Sequence, residues 1–155
     1  VIGFNPEFLT EANAYNDFRN QSLIIIGADD TGLATIMTQI YYEFNAKVDG
    51  RSHVIQRTTK EAELFKYLAN SFLATKVIFA NEFKILCDKV NVDYGRIAEV
   101  AMLDKRLGHT HWRAPGPDGL RGFGGSCFPK DTAALLHYAD ENETALWLLT
   151  RSNVY

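Results

Sequence analysis

The sequence has no marked excess of charge of either sign and very little cysteine. Its 155 residues include 16 Lys and Arg against 19 Asp and Glu, which gives a net charge of −3. Nucleic acid and anionic membranes select basic surfaces, so neither is expected as a partner. The two cysteines, Cys87 and Cys127, are too few for a disulfide framework, which favours a reducing cytoplasm.

Long hydrophobic runs are also missing. No apolar stretch approaches the roughly 20 residues of a membrane-spanning helix. The chain opens Val-Ile-Gly-Phe, without the basic and apolar regions of a signal peptide. It does not begin with methionine, which we interpret as the mark of a piece of a longer protein. We therefore expect a cytoplasmic globular chain with no membrane partner.

A dinucleotide fingerprint is absent too, although the first third of the chain predicts an α/β fold. Residues 23–27 form an apolar run typical of a buried strand, helical spacing follows from Thr31 to Asn45, and a strand is predicted at 53–58. Strand, helix and strand make a βαβ unit of a parallel sheet. Gly27 and Gly32 lack GxGxxG spacing, so we interpret them as turn residues. One such unit cannot cover both faces of its sheet, so residues 1–57 are expected to belong to a larger domain.

From Thr59 the pattern changes to helical spacing that continues without glycine or proline to about Asn91. A helix of about 30 residues would be roughly 45 Å long. Three polar residues on it, Lys76, Asn81 and Lys84, are assigned to a solvated face. Its apolar stripe needs cover from neighbours or another subunit, so we predict a homodimer interface along Leu64, Leu68, Phe72, Phe79, Phe83, Leu86 and Val90.

The remaining sequence predicts helices at 93–103, 129–140 and 143–153. Asp93 is the expected N-cap of the first, and Gly108 its stop. The predicted fold class is α+β, mainly α, with an all-α second domain at 58–155. A loop of about 20 residues separates the first two of these helices, and loops of this length are commonly functional. His109 and His111 lie in it, but no cysteine or carboxylate cluster completes a metal site, so no metal is predicted.

The loop leads into the most specific stretch of the chain, Gly122-Phe-Gly-Gly-Ser-Cys-Phe-Pro-Lys-Asp131. Glycine permits positive φ and a close approach of the backbone to a ligand. Cys127 lies in a turn just before a predicted helix N-terminus and near Lys130, and both features favour a nucleophilic thiolate. The stretch therefore predicts a reactive cysteine.

Two pairs of polar residues have i, i+4 spacing and little specificity by themselves. Glu7 and Glu11 would lie on one side of a helical turn, for which a solvated acidic turn is the simpler interpretation. Lys66 and Asn70 project to the same side of the long helix, where a lysine lying along the surface would be equally ordinary. Their meaning depends on the surrounding motifs.

Four motifs, in this order, resemble those of the UDP-glucose/GDP-mannose dehydrogenase family. They are Asn5-Pro-Glu-Phe-Leu9, Lys66-x-x-x-Asn70, Asp104-x-Arg-x-Gly108 and the decapeptide ending at Asp131. The resemblance covers essentially the whole chain. It implies that residues 1–57 are the C-terminal part of an NAD-binding Rossmann domain and that 58–155 are the helical central domain, which dimerises. The main NAD fingerprint and a third domain would then lie outside this sequence.

The resemblance also implies a reaction. Such enzymes oxidise the primary alcohol of a nucleotide sugar to a carboxylate with two NAD, through a thiohemiacetal and a thioester on the cysteine matched by Cys127. By the same match, Lys66 would stabilise the oxyanion and Asn70 would add a hydrogen bond. Glu7 would act as acid and base around thioester hydrolysis, and Asp131 would orient the attacking water.

Further positions match substrate and cofactor contacts of the family. Arg106 matches an arginine that reaches the sugar nucleotide from the partner subunit. Positions near NAD are matched by Glu11, Cys127 and Lys130. The matched substrate contacts are Glu7, Phe8, Leu9, Glu11, Lys66, Asn70, Arg106, Arg113, Phe123 and Gly124.

Several alternatives stay open. The Pro-Gly-Pro-Asp-Gly run at 115–119 favours UDP-glucose, which we prefer, whereas Arg151-Ser-Asn153 favours GDP-mannose. A helical dimerisation module without catalysis is a second class. The joint presence of five candidate catalytic residues argues against it: Cys127, Lys66, Asn70, Asp131 and Glu7. A β-hydroxyacid dehydrogenase with a similar helical domain is a third, and the glycine-rich cysteine loop counts against it. The chain alone is expected to be inactive.

Overall fold

The computed structural model describes residues 1–10, 13–48 and 52–153. These ranges contain three strands and six α-helices, so the predicted α+β, mainly α class is confirmed. The chain divides into two compact units, Val1–Lys66 and Tyr67–Tyr155. The elements are β1 (Gly3–Phe4), α1 (Ala14–Asn20), β2 (Leu23–Ala28), α2 (Thr31–Val48), β3 (His53–Arg57), α3 (Thr59–Lys89), α4 (Tyr94–Leu103), α5 (Cys127–Glu141) and α6 (Trp147–Ser152).

The first unit is built on a three-stranded sheet with β2 at its centre. β2 pairs in parallel with β3, and α2 connects them, so the predicted βαβ unit is confirmed. β1 pairs antiparallel with β2, with Gly3 opposite Ala28 and Phe4 opposite Gly27. Val1 and Ile2, which precede β1, are exposed.

The central strand is covered on both faces. Its consecutive residues Ile24, Ile25 and Ile26 are 1%, 5% and 0% exposed, although they point alternately to opposite faces. The expectation of one open sheet face is therefore wrong at this strand. Gly27 lies within β2 and not in a turn. A Cβ at this position would lie 2.6 Å from the Cβ of Ala62 in α3, so the close approach of the helix requires glycine. The assignment of residues 1–57 to a larger domain stays a prediction.

Helices begin where local capping chemistry directs them. Asp30 Oδ1 accepts a hydrogen bond from the N–H of Leu33 at 2.8 Å and caps α2, which places Gly32 in the helix and not in a turn. At the start of α3, Thr58 Oγ1 accepts from Glu61 N at 3.2 Å and the Glu61 carboxylate accepts from Thr58 N at 2.9 Å. This reciprocal pair is a capping box. Asp93 caps α4 as predicted.

The end of α4 differs from its prediction. The C-cap is Asp104, and Gly108 closes the following turn with a φ of +71° and an N–H donated to Asp104 O at 3.1 Å. That turn leads into the long loop, which returns to α4 because Tyr94 Oη donates to Trp112 O at 2.7 Å. Trp112 and Ala114 pack against a buried cluster formed by Ala80, Cys87, Tyr94 and Ala98.

The long helix α3 has 31 residues and exposes part of its apolar stripe. The stripe residues that are each more than half exposed are Leu68, Phe72, Phe79, Leu86 and Val90. Soluble chains seldom leave so many large apolar side chains of one helix in water. Among the described helices, none combines the length and hydrophobicity that a membrane span requires.

Candidate active site

In the first unit, the Asn-Pro-Glu-Phe-Leu segment meets the second turn of α3. Lys66 Nζ donates to the Glu7 carboxylate and to the Glu7 backbone carbonyl, both at 2.8 Å. The other Glu7 carboxylate oxygen accepts from the N–H of Leu9 at 2.9 Å. The lysine side chain is 19% exposed and the glutamate 56%. The structure thus joins a candidate acid–base group to a candidate oxyanion partner.

Phe8 completes this first cluster. Its ring meets that of Phe65 edge-on, with centroids 5.8 Å apart, and Lys66 Nζ lies 5.9 Å from the Phe8 centroid. Helix α1 begins only at Ala14, so Glu7 is not part of a helical turn and that expectation is wrong. Glu11 lies outside the described residues.

In the second unit, Cys127 is the first residue of α5, and the turn predicted around it ends at Ser126. Its side chain is exposed, with Sγ 3.7 Å from Ser126 Oγ. The unpaired N–H groups and the dipole at a helix start favour negative charge. The local electrostatics therefore suit a sulfur nucleophile.

One turn further along α5, Asp131 is almost completely buried, at 1% exposure. Its carboxylate accepts from Asn70 Nδ2 of α3 at 2.5 Å and forms an ion pair with Lys130. The Lys130 ammonium is largely exposed, and its hydrogen bond to Asp131 raises its pKa. Asn70, Lys130 and Asp131 are therefore brought together, and Cys127 shares the helix with two of them.

The glycine-rich loop borders a cavity of about 460 Å³ in the second unit. Phe123 packs edge-on against Phe128, and the His111 ring lies 5.6 Å from that of Phe128. Burial, followed by the nearby charge of Lys76, lowers the pKa of His111. Three of the predicted substrate contacts line this cavity: Arg113, Phe123 and Gly124.

Arg106 borders a different cavity of the second unit, of about 480 Å³, whose walls are mainly apolar. Its side chain is 88% exposed, and its guanidinium pairs with Asp104. The hydrogen bonds from Arg106 hold the pKa of the Asp104 carboxyl below its usual value. Phe72, Phe79 and Leu148 also line this second cavity.

Two residues assigned to the solvated face of α3 are in fact buried. Lys76 is 9% exposed and Asn81 6%, and Asn81 donates to the carbonyl of Val77 at 2.8 Å. Burial lowers the pKa of the Lys76 ammonium. The sequence does contain a signal for this lysine, because it lies four residues after Phe72 and three before Phe79, within the apolar stripe.

No metal centre accompanies these clusters within the described residues. No group of three or more His, Cys, Asp and Glu side chains there is arranged to hold an ion. His111 Nδ1 lies 2.8 Å from Thr110 Oγ1, a contact within the loop itself.

An α/β unit continues into a long helix, and a cysteine begins a later helix. Residues 60–153 match the model of the UDP-glucose/GDP-mannose dehydrogenase family, central domain. The chain belongs to this family.

Curated relatives and solved structures agree with this assignment. UDP-glucose 6-dehydrogenase TuaD of Bacillus subtilis is 41% identical over 135 residues, covering 87% of this chain and 27% of the relative. UDP-glucose 6-dehydrogenase of Rhizobium meliloti is 40% identical over 147 residues, covering 94% and 32%. A UDP-glucose dehydrogenase structure from Pyrobaculum islandicum aligns with a TM-score of 0.82 at 36% identity, covering 97% and 33%. This chain thus spans about a third or less of the length of these relatives.

Proposed function

We propose that the protein carrying this chain is an NAD-dependent nucleotide-sugar 6-dehydrogenase that oxidises UDP-glucose to UDP-glucuronate. The chain belongs to the dehydrogenase family, and the observation that carries the proposal is how Cys127 and Asp131 are arranged on its helix α5. Cys127 begins the helix, and Asp131 follows one turn later in a hydrogen bond with Asn70. A side chain at i+4 lies on the same face of a helix. A nucleophile and a buried carboxylate are thereby held in a fixed relation.

The chain's own residues would carry the covalent part of the reaction. When the C6 alcohol has lost a hydride and a proton, the Cys127 sulfur would bond to the aldehyde carbon and give a thiohemiacetal. Loss of a second hydride and a proton would leave a thioester. Water would then attack its carbonyl, the carbon–sulfur bond would break, and the carboxylate would leave with the thiol restored. Covalent capture keeps the aldehyde from escaping between the two oxidations.

By the match to the family, polar groups of each unit would take part in the steps around the sulfur. Lys66 would stabilise negative charge on the reacting oxygen, and Asn70 would add a hydrogen bond. Glu7, more than half exposed, would exchange protons during thioester hydrolysis, and Asp131 would orient the attacking water. These roles rest on the match to the family, together with the pairs Glu7–Lys66 and Asn70–Asp131.

NAD would supply the hydride acceptor for both oxidations, but the described strand–helix junction does not suit its pyrophosphate. The turn between β2 and α2 carries Asp29 and Asp30, and Asp30 already caps the helix. Two carboxylates at a helix start would repel phosphate, which a glycine-rich turn would accept. The main NAD site is therefore proposed to lie in sequence beyond this chain, with Lys130, Cys127 and Glu11 as contacts from this side.

The apolar stripe of α3 supports a homodimer. Leu68, Phe72, Phe79, Leu86 and Val90 stand more than half exposed along about six helical turns. Burying such a stripe against a second copy would remove it from water, and Arg106 would then act from the partner subunit. Equilibrium sedimentation of the full-length protein tests this. A monomer at micromolar concentration would contradict the proposed interface.

Substrate choice is tested by NADH formation in the full-length protein with a panel of UDP- and GDP-sugars. We expect turnover with UDP-glucose because three curated relatives that are 41%, 40% and 40% identical to this chain are named UDP-glucose 6-dehydrogenase. GDP-mannose is the alternative, since a GDP-mannose dehydrogenase from Pseudomonas aeruginosa is 33% identical with a TM-score of 0.57. Failure to form NADH with any of these sugars would favour a dimerisation module without catalysis.

The role of the cysteine has its own test. Cys127→Ala in the full-length protein should abolish NADH formation, because no thiohemiacetal can form. Cys87→Ala is the matched control, since Cys87 is 3% exposed within the packing of α3 against α4. Unchanged NADH formation by Cys127→Ala would contradict the mechanism.

A further inference from the structure

The buried ammonium of Lys76 holds the start of the long loop. Its Nζ donates to the carbonyl of Leu107 at 2.9 Å and to that of Gly108 at 3.3 Å. The same atom lies 4.5 Å from the centroid of the Trp112 ring, within the range of a cation–π interaction. Burying an ammonium group costs free energy, and the two carbonyls and the Trp112 ring offset this cost.

The same loop segment is tied at its other end. Trp112 Nε1 donates to the Gly108 carbonyl at 2.8 Å, so this oxygen accepts from both Lys76 and Trp112. The Trp112 carbonyl in turn accepts from Tyr94 Oη at 2.7 Å. Lys76, Trp112 and Tyr94 thereby fix residues 107–112 against α3 and α4 with hydrogen bonds that a shifted loop would lose.

The fixed segment leads directly into the cavity of the glycine-rich loop. His111 precedes Trp112 and Arg113 follows it, and both line the cavity of about 460 Å³ together with Phe123 and Gly124. Arg106 stands immediately before the two carbonyls that Lys76 holds. A displacement of residues 107–112 would therefore also move Arg106, His111 and Arg113.

We propose that Lys76 is a positioning residue, which sets substrate affinity by holding residues 107–112 so that His111 and Arg113 keep their places at the loop cavity. The proposal rests on the proposed function and adds that the nucleotide sugar binds in this cavity, which the predicted substrate contacts Arg113, Phe123 and Gly124 line. Lys76 itself lies behind the loop and borders the other cavity, so it acts through its neighbours and not on the reacting atoms.

Three variants of the full-length protein separate this role from a general effect of charge. Lys76→Met keeps an unbranched side chain and removes the charge and the donors, leaving two carbonyls without their buried partner. Lys76→Arg restores a cation that can donate to both carbonyls and stack on Trp112. Lys84→Met is the matched control, because Lys84 lies two turns along the same helix in a solvent-accessible pair with Asp88 at 2.8 Å.

The expected result is a split between KM and kcat. For Lys76→Met, KM for UDP-glucose should rise about tenfold while kcat stays within about threefold, since ground-state positioning is lost and the chemistry is not. Lys76→Arg should restore KM to within about threefold, and Lys84→Met should match the parent. An unchanged KM in Lys76→Met, or equal KM values in the Met and Arg variants, would overturn the proposal.

Limited trypsin digestion provides a reading that does not depend on turnover. Arg113 and Arg121 are cleavage sites within the loop, and mass spectrometry identifies cuts at each. Lys76→Met should be cut there at least about fivefold faster than the parent, whereas Lys76→Arg and Lys84→Met should not, because cleavage follows the population of the opened loop. Equal cleavage rates in Lys76→Met and the parent would overturn the proposal, whether or not the parent is active. A parent inactive on every sugar would contradict only the proposed function.

Trp112→Phe covers the case in which Lys76→Met does not fold. It keeps an aromatic face for the ammonium and removes the Nε1 hydrogen bond to Gly108. We expect a smaller rise in KM, of about threefold, with faster cleavage at Arg113. A parent-like KM and cleavage rate in a folded Trp112→Phe protein would overturn the proposal.

Discussion

The two units hold their candidate catalytic carboxylates in different ways. Glu7 in the first unit stands in a non-helical segment, is more than half exposed and pairs with Lys66. Asp131 in the second unit lies on α5, is almost fully buried and accepts from Asn70. An exposed carboxylate exchanges protons with water easily, whereas a buried one is fixed by its partners. The difference suits the proposed division between an acid–base group and a group that orients water.

The largest expected effect concerns the first cluster and activity. Lys66→Ala in the full-length protein should lower kcat by about 10²–10³, which is the usual cost of losing an oxyanion donor. The control is Lys84→Ala, a lysine of the same helix that pairs with Asp88. Steady-state NADH formation measures both. If kcat in Lys66→Ala stays close to the control, the lysine holds Glu7 without touching the reaction, and the first cluster is structural.

The second cluster, formed by Asn70, Lys130 and Asp131, should contribute more to the free energy of unfolding than the pair of Glu7 and Lys66. Asp131→Ala should lower the free energy of unfolding of the 155-residue chain by about 1–3 kcal/mol, because it leaves the amide of Asn70 without its buried acceptor. Asp131→Asn keeps an acceptor and should cost less. Asp140→Ala, on the same helix with an exposed side chain, is the control. Urea denaturation gives all three values, and equal stabilities for Asp131→Ala and Asp140→Ala would refute the contrast between the clusters.

Local signals in the sequence were sufficient for much of the fold. The cap predicted at Asp93 is confirmed, and Asp30 and Thr58 cap their helices in the same local way, through side chains within three residues of the helix start. The length of α3 follows from a long run without glycine or proline, and its observed end at Lys89 lies two residues before the predicted one. Helix α6 is shorter than predicted and begins at Trp147, which leaves residues 143–146 outside it.

Contacts distant in sequence explain what local patterns missed. The position of Lys76 within the apolar stripe indicates burial, but its partners are residues 107–112, which fold back onto α3 and which no spacing within the helix reveals. Gly27 is required by the Ala62 side chain of α3, 35 positions later in the sequence. The motif residues were found through the family resemblance, and their pairing, Glu7 with Lys66 and Asn70 with Asp131, is visible only in the structure.

A pH titration of stability tests whether the His111 ring of the second unit is buried. Burial lowers the pKa of His111 in the folded chain below the value of about 6.5 expected when unfolded. The unfolded chain therefore takes up a proton first, and stability should fall as the pH drops below about 6.5, until the lowered pKa is passed. His111→Asn, which tolerates the φ of 64° there, should flatten this slope. Urea denaturation between about pH 7.5 and about pH 5, a range that brackets the ordinary histidine pKa, measures the slope. Identical slopes would contradict the burial of this ring.

The smallest effect should come from the exposed carboxylate. Glu7→Ala removes an ion pair that solvent reaches, so the free energy of unfolding of the 155-residue chain should change by less than about 1 kcal/mol. Added salt should reduce even this difference, since ions screen accessible charges. Parallel urea denaturation with and without salt, next to Asp131→Ala, provides the measurement. A loss in Glu7→Ala as large as that in Asp131→Ala and insensitive to salt would mean that Glu7 also acts as a buried, fixed group. Its proposed part in proton exchange would then lose its physical basis.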